Sequence, residues 1–348
     1  MNHALQITLS SHSLLKMLVL SVVGFVLSMF LTPLYTTLAY RWRLWKRPRA
    51  VAVTGETATV FNQLHAEKHK RHIPTMAGVI FIVTVGIITL AANLSRSQTW
   101  LPLAAFTGAA LVGLVDDIIN IQSGGRGVAG LPSKLKLLLI TVVALVGGWF
   151  FYSKLGVSSI HWPGVHASIH IGWLIIPLFV FVVVATANAV NISDGLDGLA
   201  GGLTATAFGI YALIATLEHR YGIAGFCLTL VGALLSYTWF NVFPARFFMG
   251  DVGSFALGTA LGVVAMQTDT VLLLPVIGLV FVAEAGSVIL QVLSKKLRNG
   301  KKIFRVSPVH HHFEAIGWPE TKVTMRFWVI GQIVGILGLV LYVLGWYA

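Results

Sequence analysis

Residues 100–119 read WLPLAAFTGAALVGLVDDII, a run that stays apolar or small through Val115 and then meets the acidic pair Asp116-Asp117. Twenty helical residues rise about 30 Å, the thickness of a bilayer's hydrocarbon core. In hydrocarbon such a segment must be helical, because a strand would leave its backbone groups unpaired. Nine further apolar runs lie at roughly 17–40, 74–93, 134–153, 171–190, 199–217, 221–243, 252–268, 271–293 and 326–347. The expected fold is therefore an all-α polytopic membrane protein of about ten transmembrane helices, one domain over 1–348. Composition agrees: 56% of the 348 residues are hydrophobic and 10% charged, against about 25% charged in an average soluble domain. Between the runs, segments 41–73, 120–135, 188–198, 241–251 and 294–325 are free to carry chemistry. Gly156–His170 alternates apolar and polar residues around Pro163-Gly164, which reads as a small outer β-hairpin or an irregular loop.

A net charge of +12 raises nucleic acid as a partner, but its placement speaks against one. If the N-terminus is outside, 20 of the 24 Lys and Arg fall on inner loops. That asymmetry is the positive-inside signature of a multi-pass membrane protein, and it places both termini outside. The first run is followed, not preceded, by its cationic cluster, as expected of a retained span. Cys227 is alone, so no internal disulfide forms.

On the cationic side lie Asp116, Asp117, Asp194, Asp197 and Asp251. An aspartate at mid-bilayer costs about 2.5–3.5 kcal/mol, so such residues persist where water, a metal or a partner serves them. Together they suggest one acidic site that collects a hard cation and a phosphate. Neighbours on a helix diverge by about 100°, so Asp116 and Asp117 are expected to divide labour and not to share one ligand. Asn188, Asn191, Asp194 and Asp197 recur at intervals of three, a polar helix edge, although Asp194-Gly195 also reads as a turn. Phe247-Phe248 beside Asp251 offers a stacking surface for a planar base. In an extended strand His310 and His312 would face one way and His311 the other. With oxygen-rich acids elsewhere and no cysteine near, these imidazoles suit phosphate better than zinc. Glu284, inside the ninth run, is expected to pair within the bundle. Gly125–Gly130 matches G-x-G-x-x-G but follows a membrane helix and lacks the downstream acid, so the dinucleotide reading is rejected.

These residues together resemble the phospho-N-acetylmuramoyl-pentapeptide-transferase family over nearly the whole chain. The likeness runs through Pro74-Thr75-Met76-Ala77-Gly78, Asp116-Asp117, Asn188–Ala200, Asn241, Pro244-Ala245-Arg246 and Phe248–Ser254. Its most specific part is Ser307-Pro308-Val309-His310-His311-His312-Phe313-Glu314, followed by Gly317-Trp318-Pro319-Glu320. The related polyprenyl-phosphate hexosamine-1-phosphate transferases share the aspartates but usually not this segment. His72-Ile73 replaces the family's usual Gly-Thr and Ala77 its first glycine, which bears on the geometry around Lys70 and Arg71.

The resemblance implies an enzyme, usually a homodimer, with a cytoplasmic active site. It would move phospho-MurNAc-pentapeptide from UDP-MurNAc-pentapeptide to undecaprenyl phosphate, giving lipid I and UMP with Mg²⁺. By matched position Asp251 would hold the magnesium, and Asp116 and Asp117 would handle the lipid phosphate. Asn191, Asp194, Gly195, Leu196 and Asp197 would line the nucleotide site, Asn241 and Phe248 would hold the uracil, and Gln291 would also touch substrate. Lys70, Lys136, His310 and His311 would bind phosphates or shape the site. The rival classes are a hexosamine-1-phosphate transferase and an ion-coupled transporter, the latter disfavoured because the acids cluster at one face and no halves repeat.

Overall fold

A computed structural model describes residues 11–45, 72–122, 130–162 and 168–347. Its helices are α1 Ser11–Arg41, α2 Gly78–Ala92, α3 Trp100–Gln122, α4 Ser133–Ser153, α5 Ile175–Ser193 and α6 Leu199–Leu217. They continue as α7 Tyr221–Asn241, α8 Gly250–Gln267, α9 Leu279–Leu297, the short α10 Val309–Ala315 and α11 Glu320–Tyr347. All but α10 correspond to the apolar runs, and seven are long and apolar enough to cross a membrane. The chain is thus an all-α polytopic membrane protein, and the other three of the ten runs fall on α2, α8 and α9. Helix α2 has only 15 residues, α9 is preceded by the separate turn Leu274–Ile277, and α8 is the centre of the bundle.

Helix α8 explains its own modest hydropathy. Every residue from Gly250 to Gln267 except Asp251 is buried, so lipid does not select for apolar bulk there. Small residues instead let neighbouring backbones approach, the packing that holds helices together in membranes. A methyl on Gly78 would overlap the Gly253 backbone, and one on Gly113 would overlap the Asp251 carbonyl. These contacts draw α2 and α3 against the acidic end of α8.

The expected hairpin is present as β1 Ser159–His161 and β2 Ser168–His170, antiparallel with Ile160 opposite Ile169. Its Pro163-Gly164 turn lies outside the described residues. The His161 N–H donates to Asp269 Oδ1 at 3.0 Å, which fastens the hairpin just beyond α8. Nearby, Glu218 follows α6 with Arg220 Nε 2.9 Å from its Oε2. Burial raises the Glu218 pKa from 4.5 to about 7 against the opposing pull of Arg220. The folded state therefore holds this proton more tightly than the unfolded one. The resulting stability is full below about 4.5 and is lost as pH rises through about 7. Thermal unfolding in detergent should accordingly show wild-type losing more stability than Glu218→Gln between pH 5 and pH 8. Parallel curves would mean that Glu218 does not carry this dependence.

Candidate active site

Two helices bring the acids together and a third adds a lysine. Helix α3 supplies Asp116 and Asp117, both fully buried, and the first turn of α8 supplies Asp251. Lys136, on the first turn of α4, places its Nζ 2.9 Å from both Asp116 Oδ2 and Asp251 Oδ2. The Leu131 N–H donates to Asp116 Oδ1 at 2.5 Å, and the Val252 N–H donates to Asp117 Oδ2 at 3.0 Å. Asp117 thus satisfies one of the backbone donors that open a helix, and Asp251 sits where the α8 dipole favours negative charge.

Asp116, Asp117 and Asp251 each bring one oxygen within 4.8 Å of the others. This corrects the expectation that the adjacent pair cannot share a ligand: the two Cβ atoms diverge, yet flexible carboxylates converge on Asp251. The two side chains take different partners, Asp116 the Lys136 ammonium and Asp117 the backbone of α8. Helix α3 also runs on to Gln122, so the pair lies inside the helix and not at its end. One ammonium among three carboxylates leaves excess negative charge, and an all-oxygen donor set suits a hard cation.

The polar edge at intervals of three is not a helix edge. Helix α5 stops at Ser193, and the chain turns through Asp194–Gly198, with Gly198 at φ +77°. Asn188 bonds back to Val184 of its own helix, whereas Asn191 donates to Ser254 Oγ at 2.8 Å and so ties α5 to α8. Asp197 is buried: its Oδ2 accepts the Ala245 N–H at 2.9 Å, and its own N–H donates to Glu320 Oε1 at 2.7 Å. Leu196 is buried in the same turn.

Several residues matched to substrate contacts have side chains engaged by backbone. Asn241 accepts the Gly198 N–H at 3.0 Å and donates to the Phe247 carbonyl at 2.8 Å. Gln291 accepts the N–H groups of Ile303 and Phe304 and donates to the Phe304 carbonyl, bracing the basic segment after α9. In this structure both amides act as braces. Of the aromatic pair, Phe247 is buried among Tyr35, Tyr237 and Phe240, which leaves only the half-buried Phe248 ring. The Phe248 backbone pairs with Pro74 and Ala77, at 2.7 and 3.0 Å.

The histidines lie on a helix, so the alternation of an extended strand does not apply. His310 is fully buried with Nδ1 2.8 Å from Glu284 Oε2, and His311 Nδ1 lies 2.6 Å from Glu314 Oε2. His312 Nδ1 accepts the Arg305 N–H at 3.1 Å. Glu284 therefore pairs within the bundle, as its place in an apolar run implied. Gly195 faces His310 so closely that a methyl there would overlap Nε2.

Residues 46–71, including Lys70 and Arg71, lie outside the described residues, as do 123–129 of the glycine-rich loop. The departures near Lys70 are accommodated in different ways. Ala77 has φ −64°, a value any residue adopts. His72 has φ +48°, where glycine would be unstrained, and its ring packs on Trp45 at 5.3 Å between centroids. Glu320 and Trp328, which bonds the Gly198 carbonyl at 3.1 Å, complete the turn. Sequence quoted Glu320 within a motif but could not show that it reaches Asp197.

The family profile described as Glycosyl transferase family 4 matches residues 99–269, which contain Asp116, Asp117, Asp194, Asp197 and Asp251. Similar curated proteins carry the name phospho-N-acetylmuramoyl-pentapeptide-transferase. One from Geobacillus sp. (strain WCH70) is 38% identical over 331 residues, covering 93% of this chain and 97% of its own length. Another from Bacillus velezensis is 38% identical over 323 residues, covering 91% and 95%. A third from Clostridium novyi is 37% identical over 319 residues, covering 91% and 94%. Likeness of this extent makes the chain a member of the phospho-N-acetylmuramoyl-pentapeptide-transferase family.

Proposed function

We propose that the protein transfers phospho-MurNAc-pentapeptide from its UDP carrier to undecaprenyl phosphate, releasing UMP and forming lipid I. The observation that carries this reading is the meeting of Asp116, Asp117 and Asp251 around Lys136 at one end of a membrane bundle. A polyprenyl acceptor dissolved in lipid and a nucleotide donor dissolved in water would meet at such a place. In the reaction an acceptor phosphate oxygen forms a new bond to the sugar-linked phosphorus of the donor, and the P–O bond to UMP breaks. Phosphoryl transfer of this kind needs positioning and charge neutralisation more than covalent help from the protein.

The donor set fits magnesium, which favours one or two carboxylates plus substrate phosphates over a full protein cage. Asp251, at 16% side-chain exposure the most open of the three, would hold it. When bound, the ion would neutralise pyrophosphate charge. Lys136 holds Asp116 and Asp251 together and supplies positive charge beside them. Asp116 and Asp117 would orient the acceptor phosphate, with Asp117 fixing α8 against α3. The Asp194–Gly198 turn and the Phe248 ring would receive the nucleotide, Asn241 and Gln291 would shape its surroundings, and Lys70, His310 and His311 would serve phosphate binding or site shape. The cationic inner loops support a cytoplasmic face for this site with both termini outside, and the family resemblance supports a homodimer.

Purified protein with Mg²⁺, undecaprenyl phosphate and UDP-MurNAc-pentapeptide should release UMP, and UDP-GlcNAc should not replace the donor. Release with UDP-GlcNAc alone would move the protein to the hexosamine transferases. Release with neither donor would overturn the transferase reading.

A further inference from the structure

Glu284 lies inside α9, fully buried, and takes no part in the chemistry above. A carboxylate in a membrane helix persists where a partner serves it. Here the partner is His310, whose Nδ1 lies 2.8 Å from Glu284 Oε2. The contact shares one proton between Nδ1 and the carboxyl, which fixes a single tautomer of the ring, and Nε2 faces the backbone at Gly195. The neighbouring His311 repeats the arrangement with Glu314, and the two rings lie 4.1 Å apart between centroids. A connected path thus runs from α9 through α10 to the Asp194–Gly198 turn. From that end of α5, Asn191 reaches Ser254, one turn beyond Asp251 on α8.

We propose that Glu284 is a positioning residue: through His310 it holds the Asp194–Gly198 turn in register with the Asp251 end of α8. The proposal rests on the transferase reading, in which that turn receives the donor. It assigns Glu284 no contact with substrate. Its effect is to fix the imidazole's tautomer and orientation, as carboxylate partners do for histidines in other sites. The missing side chain at Gly195 is the complementary half of the device, since any Cβ there would displace His310.

The test uses protein labelled with ¹⁵N-histidine in lipid nanodiscs, the His310 signals being those lost in His310→Gln. The expected wild-type spectrum shows His310 in a single tautomer; mixed tautomers there overturn the proposal without any variant at Glu284. Glu284→Gln keeps the shape but lets an amide donate as well as accept, so it should yield mixed tautomers. Its kcat should fall at least about tenfold while KM for the donor stays within about threefold. A folded Glu284→Gln protein with wild-type kcat and a wild-type His310 spectrum would exclude the role. Where Glu284→Gln does not fold, Gly195→Ala disturbs the same path from its other end and should also shift the His310 signals; unchanged signals there would count against the path. Wild-type protein that releases no UMP would instead sink the transferase reading, and the nitrogen spectrum would still decide the Glu284–His310 contact.

Discussion

Asp251→Asn is expected to lower UMP release by at least about a hundredfold, the scale seen when one preorganised charge-stabilising group is removed from an active site. Asparagine keeps the size and the position in the first turn of α8 but loses the negative charge. Lys136, now bridging Asp116 and Asp251 at 2.9 Å each, would keep one anionic partner. The proposed magnesium would lose its most open carboxylate. The fold should tolerate the change, because Asp251 is the one residue of α8 that is not buried. Activity as a function of Mg²⁺ concentration, together with thermal unfolding of the same preparations, separates loss of the ion from loss of structure. A variant with wild-type rate and unaltered Mg²⁺ dependence would falsify the assignment of Asp251 as the metal ligand.

The membrane class and the apolar runs were legible because each follows from local rules, while of the five aspartates expected in one site Asp116, Asp117 and Asp251 come together. Hydrocarbon thickness sets run length, loop charge marks the sides, and an acid in such a run needs a partner. What was not legible was which groups far along the chain each side chain meets. The interval of three from Asn188 to Asp197 looked helical, but the chain leaves the helix at Asp194 and turns through Gly198. The alternative signal, Asp-Gly, was present in the same residues. Asn241 and Gln291 are polar and lie where a substrate contact is plausible, yet each amide meets backbone groups 6 to 43 and 12 to 13 residues away. Nothing in a single sequence distinguishes an amide that faces a ligand from one that braces a loop. The partner of Glu284 was illegible for the same reason, since His310 lies 26 residues on, in another helix. The histidines form a helix because the segment after Pro308 closes its own backbone bonds, beginning with His311 and His312 to the Pro308 carbonyl.

The second large effect is expected at a residue with no functional group. A methyl on Gly113 would overlap the Asp251 carbonyl and come within 2.5 Å of the Val252 nitrogen. Both obstacles are backbone, so no side-chain rotation relieves them, and α3 must move away from α8. Overpacking of this kind costs about 1–3 kcal/mol in a well-packed interior. The functional cost should be larger in relative terms. The displaced interface is the one that sets Asp116 and Asp117 against Asp251, and it includes the Val252 N–H bond to Asp117 at 3.0 Å. A misplacement of about 1 Å in a positioned site can remove about 10²-fold in rate. Gly113→Ala should therefore lower UMP release about a hundredfold while the protein still extracts and unfolds cooperatively at a reduced temperature. Gly86→Ala is the matched control: it lies within α2 with nothing near its would-be methyl, and alanine is the better helix former. It should keep full activity and unfold no lower than wild type. Full activity in Gly113→Ala would mean that the close approach of α3 and α8 does not govern the acidic cluster, and that the site tolerates a wider spacing of these two backbones.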